Sequence, residues 1–325
     1  MTGGVEHEAV FVETAARLHF GVLDLHGVQG RRFGGVGAAA PSPTLLVSAR
    51  RAATLTVDGE DAERAAGFAR AFLAFHGAAG GASVTIHHAL PVHAGLGSGT
   101  QLALAVARAL AEVHGLPTVA GGLAAAVGRG RRSAIGTWTF AGGGLVVEGG
   151  RRPGRDGVGP LIARLLFPAQ WRCVVAVPKN GSAISGADEE AALAKLPAPP
   201  DRDVERVAHL VLMALLPALA DGDLATFGRA LTAIQTITGR WFAPVQGGAF
   251  APGPSEEILR RMTESGAAGV GQSSWGPTVY GIVAGEGEGV RLAARIRAVL
   301  DGCGGGNVFE GPFRAEGARV WRSAR

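Results

Sequence analysis

The 325-residue chain holds almost no lysine: of its 31 basic residues only Lys179 and Lys195 are lysines, and the rest are arginines. It has two cysteines, Cys173 and Cys303, too few for a disulfide framework and without neighbours at metal-ligand spacing. Both read as reduced, buried thiols. Charged residues make up 18% against the usual quarter, and none falls between Ala71 and Ala107. Pro91, repeated glycines and His87, His88 and His93 interrupt that uncharged run, which excludes a bilayer-spanning helix. The opening Met1 to Thr14 has Glu6, Glu8 and Glu13 and no basic flank or apolar core, unlike a signal peptide. A soluble, cytoplasmic protein without membrane contact is expected.

The arginines stand singly or in pairs, at Arg31 and Arg32, Arg50 and Arg51, Arg131 and Arg132, and Arg151 and Arg152. A net charge of +4 spread in this way lacks the run or aromatic-interleaved stripe of a nucleic-acid footprint, so small anions, not nucleic acid, are the expected partners. What the chain does hold is glycine, 52 residues or about twice the usual share of about 7%, and 47% hydrophobic residues for a core. At about 150 residues per domain, the length predicts two domains.

Val10 to Leu25 alternates as one or two strands, and Gly34 to Ala40 reads as a small-residue loop. Thr44 to Ser48 and Ala53 to Val57 read as a strand pair. Asp61 to His76 has apolar residues at three and four spacing, an amphipathic helix with Asp61 as its N-cap. Ser83 to Leu90 alternates as a strand that leads, through Pro91 and a glycine loop, into a helix from Thr100 or Gln101 to His114. The stretch from Gly149 to Gly159 lacks periodicity and predicts a boundary near residue 155. Beyond it come a strand at Trp171 to Val177, helices at Val204 to Leu219 and Ser255 to Ser265, and a glycine-rich Gly266 to Gly276. A strand at Thr278 to Ala284, a helix at Gly289 to Leu300 and a strand near Ala318 to Trp321 complete the chain. This order predicts an α+β fold, an antiparallel sheet with helices on one face.

The strongest chemical signal is Pro91-Val-His-Ala-Gly95-Leu96-Gly97-Ser98-Gly99-Thr100-Gln101, between a strand and a helix. Such a loop exposes successive backbone N–H groups and aims a helix N-terminus at a bound anion, for which phosphate is the natural guest. The Ser98 and Thr100 hydroxyls can bind that phosphate or cap the helix. A dinucleotide-binding G-x-G-x-x-G would need glycine at Thr100, and a Walker loop needs a lysine, yet none precedes Lys179. A tight connection that binds nothing is the plainer alternative.

Pro91 to Thr100 resembles the P-x3-G-L-G-S-S loop of the GHMP superfamily, which includes galactokinase, homoserine kinase and mevalonate kinase. Ala16 to Leu25 (ARLHFGVLDL) and Gly271 to Thr278 (GQSSWGPT) resemble one branch of it, the β-ribofuranosylaminobenzene 5′-phosphate synthase family of methanopterin biosynthesis. The resemblance implies a two-domain GHMP-kinase-like fold, with a ribosomal-S5-domain-2-like domain over residues 1–155 and a ferredoxin-like domain over 156–325. It also implies an enzyme that joins phosphoribosyl pyrophosphate to 4-aminobenzoate or 4-hydroxybenzoate with loss of carbon dioxide and pyrophosphate. Magnesium (Mg2+) and a homodimer are expected with it. Kinases of the superfamily place an acidic base in an S-G-I-D type segment, whereas this chain has Arg132-Ser133-Ala134-Ile135-Gly136. Gly136 where those kinases have aspartate argues against the alternative of an ATP-dependent kinase. A non-catalytic phosphometabolite-binding protein is the other alternative.

Chemistry that expels pyrophosphate needs charge stabilisation and orientation rather than a strong base. On a regular strand Arg17 and His19 share a face, Arg17 to clamp a phosphate or carboxylate and His19 to bond a ribose hydroxyl. Asp24 beyond the turn is the candidate to hold a magnesium ion or a hydroxyl. Arg131, Arg132 and Ser133, and Lys179 with Asn180, are further phosphate candidates, each equally readable as solvated turn residues. Gln272, Ser273, Ser274, Trp275 and Gly276 offer amide, hydroxyls, backbone donors and a ring for the acceptor, and Trp275 can instead be ordinary core. Gln235 can face the same cleft or lie on the surface. His87, His88 and His93 form a metal cluster by count only, because adjacent strand positions face opposite sides.

Overall fold

The computed structural model describes residues 8–155, 157–179 and 186–323. The first sheet grows on two long antiparallel strands, β1 (Val10–Asp24) and β2 (Phe33–Ala52). Next in sequence are β3 (Thr56–Gly59), α1 (Ala62–His76), β4 (Gly81–His88) and α2 (Ser98–His114), then α3 (Ala120–Ala126), α4 (Ile135–Gly142), β5 (Leu145–Glu148) and β6 (Leu161–Leu165). Alternation along β1 buries Val10, Val12, Ala16 and Leu18, and α2, whose residues Leu102 to Ala107 are all buried, covers that face. Two register shifts, between Ala15 and Arg17 and between His19 and Gly21, set Arg17 and His19 in a locally irregular stretch of β1.

Three local expectations are corrected. Gly34 to Ala40 is the first half of β2, not a loop. Its small residues allow close packing: a Cβ at Gly37 would lie 2.4 Å from the Leu18 carbonyl oxygen, and one at Gly35 would lie 2.9 Å from Ile135 Cδ1 of α4. The short β3 pairs in parallel with β4 rather than with β2. Asp61 does not cap α1; it has φ 57° and no capping bond, and its carboxylate pairs with Arg64 at 2.6 Å.

The second sheet contains β7 (Trp171–Pro178), β8 (Gly269–Gln272), β9 (Val279–Ala284) and β10 (Gly306–Pro312) in the order β10-β7-β9-β8, all antiparallel. Between β7 and β8 run α5 (Gly186–Lys195), α6 (Asp201–Leu210), a π-helical turn at Val211–Leu215, α7 (Leu216–Asp221), α8 (Leu224–Gln246) and α9 (Pro254–Glu264). The helix α10 (Glu286–Gly302) connects β9 to β10, giving the ferredoxin-like order. One face of β7 sends Val174 and Ala176 against α9 and α10, through Ile258, Met262 and Ile296. The other sends Cys173, Val175 and Val177 into the main core with Phe20 and Tyr280. The β8 strand lies inside the stretch expected to be only glycine-rich. A Cβ at Gly228 of α8 would stand 2.0 Å from the Ala268 carbonyl oxygen, so α8 meets the start of β8 backbone to backbone.

A last strand, β11 (Arg319–Arg322), pairs with β1, and β6 pairs with β5. The first sheet therefore takes strands from both sides of residue 155. Among the described residues no helix is long and apolar enough to cross a membrane.

Candidate active site

The glycine loop at Gly95–Gly99 and the Gly271–Gly276 segment meet beside the middle of β1, at Arg17 and His19. Gly95, at φ 76°, has a Cβ position only 2.2 Å from the Ser273 carbonyl oxygen and 2.9 Å from that of Gly276. Only glycine lets the loop after β4 lie on the loop between β8 and β9. Ser273 is fully buried and ties the junction: its hydroxyl donates to the Gly95 carbonyl at 2.7 Å and accepts from the His19 amide at 2.9 Å. Arg17 joins the same knot, its amide donating to the Leu96 carbonyl at 3.0 Å and its Nη1 to the Gly95 carbonyl at 2.9 Å. Ser273 thus serves the protein's own architecture, where sequence predicted a substrate contact.

Gly97 takes the left-handed N-cap position of α2 at φ 73°, and a Cβ there would lie 2.8 Å from Arg17 Cγ. The space it leaves is filled by Arg17, rather than left open to an anion. A Cβ at Gly99 would stand 3.2 Å from Nη2 of Arg129, which places that guanidinium over the first turn of α2. Amides of that turn, Ser98 and Gly99, have no acceptor within the helix. Arg129 also lies over the Phe68 ring at 4.7 Å, and its Nε is buried without a hydrogen-bond partner. Burial and the neighbouring Arg64 and Arg132 lower its pKa. Sequence reading passed over Arg129, whose only signal is its place in the GRGRRS turn.

Gln101 turns away from the site. It is fully buried, accepts from the Thr14 hydroxyl at 2.7 Å and donates to the Gly136 carbonyl at 3.0 Å. Thr100 packs there too: a Cβ at Gly136 would be 3.0 Å from Thr100 Cγ2, so an aspartate at that position must push Thr100 aside. Glu148 anchors the same turn from inside, accepting from the Ala134 and Gly150 amides, and its burial raises its pKa.

A cavity opens beside this junction. Its charged and polar wall includes Arg17, His19, Arg132, Ser133 and Glu189, and its apolar wall includes Phe33, Leu193, Phe242, Phe250 and Trp275. Gln272 and Ser274 also line it, as does Gln235, which is buried rather than on the surface. Gln235 binds β1 to β8, donating to the Phe20 carbonyl at 2.7 Å and accepting from the Gln272 amide at 2.8 Å. Gln272 in turn spends its side chain on Gln246, the Ser274 carbonyl and the Ala251 amide. Trp275 stands edge-on to Phe242 at 4.8 Å.

Glu189 of α5 is the acidic side chain in the lining, and sequence reading missed it because ADEEA resembles any solvated helix face. Arg132 Nη2 pairs with its Oε2 at 3.0 Å, and the Trp275 indole donates to its Oε1 at 3.1 Å. Desolvation lowers the pKa of Arg17 to about 10, with Glu189 opposing the shift, so Arg17 remains cationic at neutral pH. Desolvation and the Arg17 charge lower that of His19 to about 3, so its imidazole is neutral and can donate or accept but not carry charge.

Asp24, Arg131 and Lys179 do not line the cavity. Asp24 Oδ1 closes a turn after β1 by accepting from the His26 and Gly27 amides, Arg131 is exposed, and Lys179 is exposed at the end of β7. Asn180 lies outside the described residues. Among the described residues no group of three or more His, Cys, Asp or Glu can hold a metal ion, and His87 bonds Ser48 at 2.8 Å. The side chains present thus do not fit a protein-held magnesium cage, Asp24 included.

Comparison with known proteins shows the family and the fold. Residues 63–139 match the GHMP kinases N terminal domain, and residues 215–302 match GHMP kinases C terminal. Beta-ribofuranosylphenol 5′-phosphate synthase of Methanothermobacter thermautotrophicus is 35% identical over 294 residues, covering 84% of this chain and 88% of that protein. The chain belongs to the β-ribofuranosylphenol 5′-phosphate synthase family. The protein of the same name from Archaeoglobus fulgidus is 34% identical, over 87% of this chain and 91% of its own. The family shares its fold with GHMP kinases: a homoserine kinase from Cytophaga hutchinsonii superposes with a TM-score of 0.72 at 15% identity, covering 99% of this chain and 100% of that one. As a member of the synthase family, the chain is an enzyme of the transferase class.

Proposed function

We propose that the enzyme joins phosphoribosyl pyrophosphate to a para-substituted benzoate, releasing pyrophosphate and carbon dioxide and forming a C-riboside 5′-phosphate. The C1′–oxygen bond to pyrophosphate breaks, and the ring carbon that bears the carboxylate attacks C1′. The bond to the carboxylate then breaks, and its electron pair restores the aromatic ring. No net proton is taken up or released, so the chemistry needs no strong base. What supports this reading most is the pairing, in one cavity, of a cationic wall (Arg17 and Arg132) with an aromatic wall (Trp275, Phe242 and Phe250).

Each group has a task in this scheme. The first turn of α2, with Arg129 and Arg17, stabilises the departing diphosphate. Neutral His19 hydrogen-bonds a ribose hydroxyl, and the aromatic wall orients the acceptor ring against C1′. Magnesium enters the proposal only as a companion of the diphosphate oxygens, since it needs few protein ligands there. The relatives' names specify a phenol product, which favours 4-hydroxybenzoate over 4-aminobenzoate as acceptor. Purified enzyme offered both acids with phosphoribosyl pyrophosphate and magnesium should build the riboside phosphate of the phenol faster, as read by product mass. Exclusive use of 4-aminobenzoate would reverse the acceptor assignment. A homodimer belongs to the same proposal, and light scattering should then give twice 32.9 kDa.

A further inference from the structure

Glu189 of α5 lines the cavity. Its two carboxylate oxygens are held by the Arg132 guanidinium and the Trp275 indole, donors brought from two other segments of the chain. A guanidinium and an indole N–H beside the rings of Trp275 and Phe242 form a site for an aromatic carboxylate. Arg132 keeps a second nitrogen, Nη1, buried and without a partner. We propose that Glu189 is a positioning residue whose carboxylate holds this anion subsite in the free protein, and that the carboxylate of an entering arenecarboxylic acid displaces it from Arg132 and Trp275. The inference rests on the cavity being the acceptor site.

The exchange is close to balanced, because one carboxylate–guanidinium pair replaces another and Arg132 is never left unpaired. Two carboxylates on Arg132 at once repel, so the entering acid favours the state in which Glu189 has moved off. Substrate affinity is then reduced by the fraction of time that Glu189 occupies the subsite. If it does so nine-tenths of the time, removing its charge tightens binding about tenfold.

Benzoate is the probe, since it carries the carboxylate and ring without a para group. Calorimetric titration of wild type, Glu189→Gln and Glu189→Asp should show benzoate binding about tenfold tighter to Glu189→Gln and by a smaller factor to Glu189→Asp, whose carboxylate is withdrawn by one methylene. Unchanged or weaker benzoate binding in both variants would overturn the proposal. So would weaker 4-hydroxybenzoate binding with benzoate unchanged, which puts Glu189 on the para group, or a gain for inorganic pyrophosphate alone, which makes the subsite a phosphate site. None of these readings needs turnover. Tighter benzoate binding in an enzyme that never releases carbon dioxide keeps the subsite and removes the reaction; turnover with unaltered benzoate affinity does the reverse.

Discussion

Arg17 and His19 show what a neutral–cationic pair on one strand provides. With its pKa held near 3, His19 binds fewer protons folded than unfolded, where the ordinary value is 6.5. Its contribution to stability is complete above pH 6.5 and is lost as pH falls below it, at a slope of on the order of 1.4 kcal/mol per pH unit. Thermal melts between pH 6.5 and 5 should therefore fall more steeply for the wild type than for His19→Gln, and parallel slopes would contradict the buried neutral state. Arg17→Lys keeps the charge but loses the fork that reaches the Gly95 carbonyl. It should cost roughly ten- to a hundredfold in kcat/KM, the equivalent of one charged hydrogen bond. Normal turnover would remove Arg17 from the site. Their shared face was legible from strand alternation alone. The tasks of Ser273 and Gln101 were not, because the same hydroxyl and amide that suit a ligand also suit a buried junction, and only three-dimensional neighbours distinguish the two.

Among the elements, α2 begins at a glycine whose role the structure changes. Gly97 and Gly115, at the two ends of the helix, have nearly equal φ values of 73° and 66°. A Cβ at Gly97 meets Arg17, whereas one at Gly115 meets nothing within 4 Å. Gly97→Ala and Gly115→Ala should each lose about 1 kcal/mol of stability to left-handed strain, while only the former displaces Arg17 and loses most of its turnover. Equal activities would show that the Gly97–Arg17 contact is dispensable. A second test lies at the crossing of α8 with β8, where Gly228→Val collides with the Ala268 backbone. Chemical denaturation should show a loss of several kcal/mol, of the order seen for overpacked cores. The periodic elements β1, α1 and α2 were readable from the sequence. The glycine-rich first half of β2 and the short β8 were not, since residues chosen for close backbone approach carry no hydrophobic period.

At the scale of the whole molecule, the cavity draws on residues as far apart in sequence as Arg17 and Trp275, and its walls combine strands β1, β2 and β8 with α5, α8 and the Trp275 loop. The ends were legible as motifs, and Arg132, Ser133 and Gln235 as candidates between them; Glu189 was not. Arg129 and Glu189 belong to no motif, and only the fold sets them beside the α2 N-terminus and the Trp275 loop. Gly136 is packed against Thr100, so an acidic base at that position would have to displace the Thr100 side chain. The proposed chemistry is a decarboxylating ribosyl transfer in that cavity. Carboxyl-labelled 4-hydroxybenzoate incubated with enzyme, magnesium and phosphoribosyl pyrophosphate tests it most directly. Labelled carbon dioxide should appear in proportion to pyrophosphate formed and not without the ribosyl donor, whereas no labelled release across the working pH range would rule out that transfer.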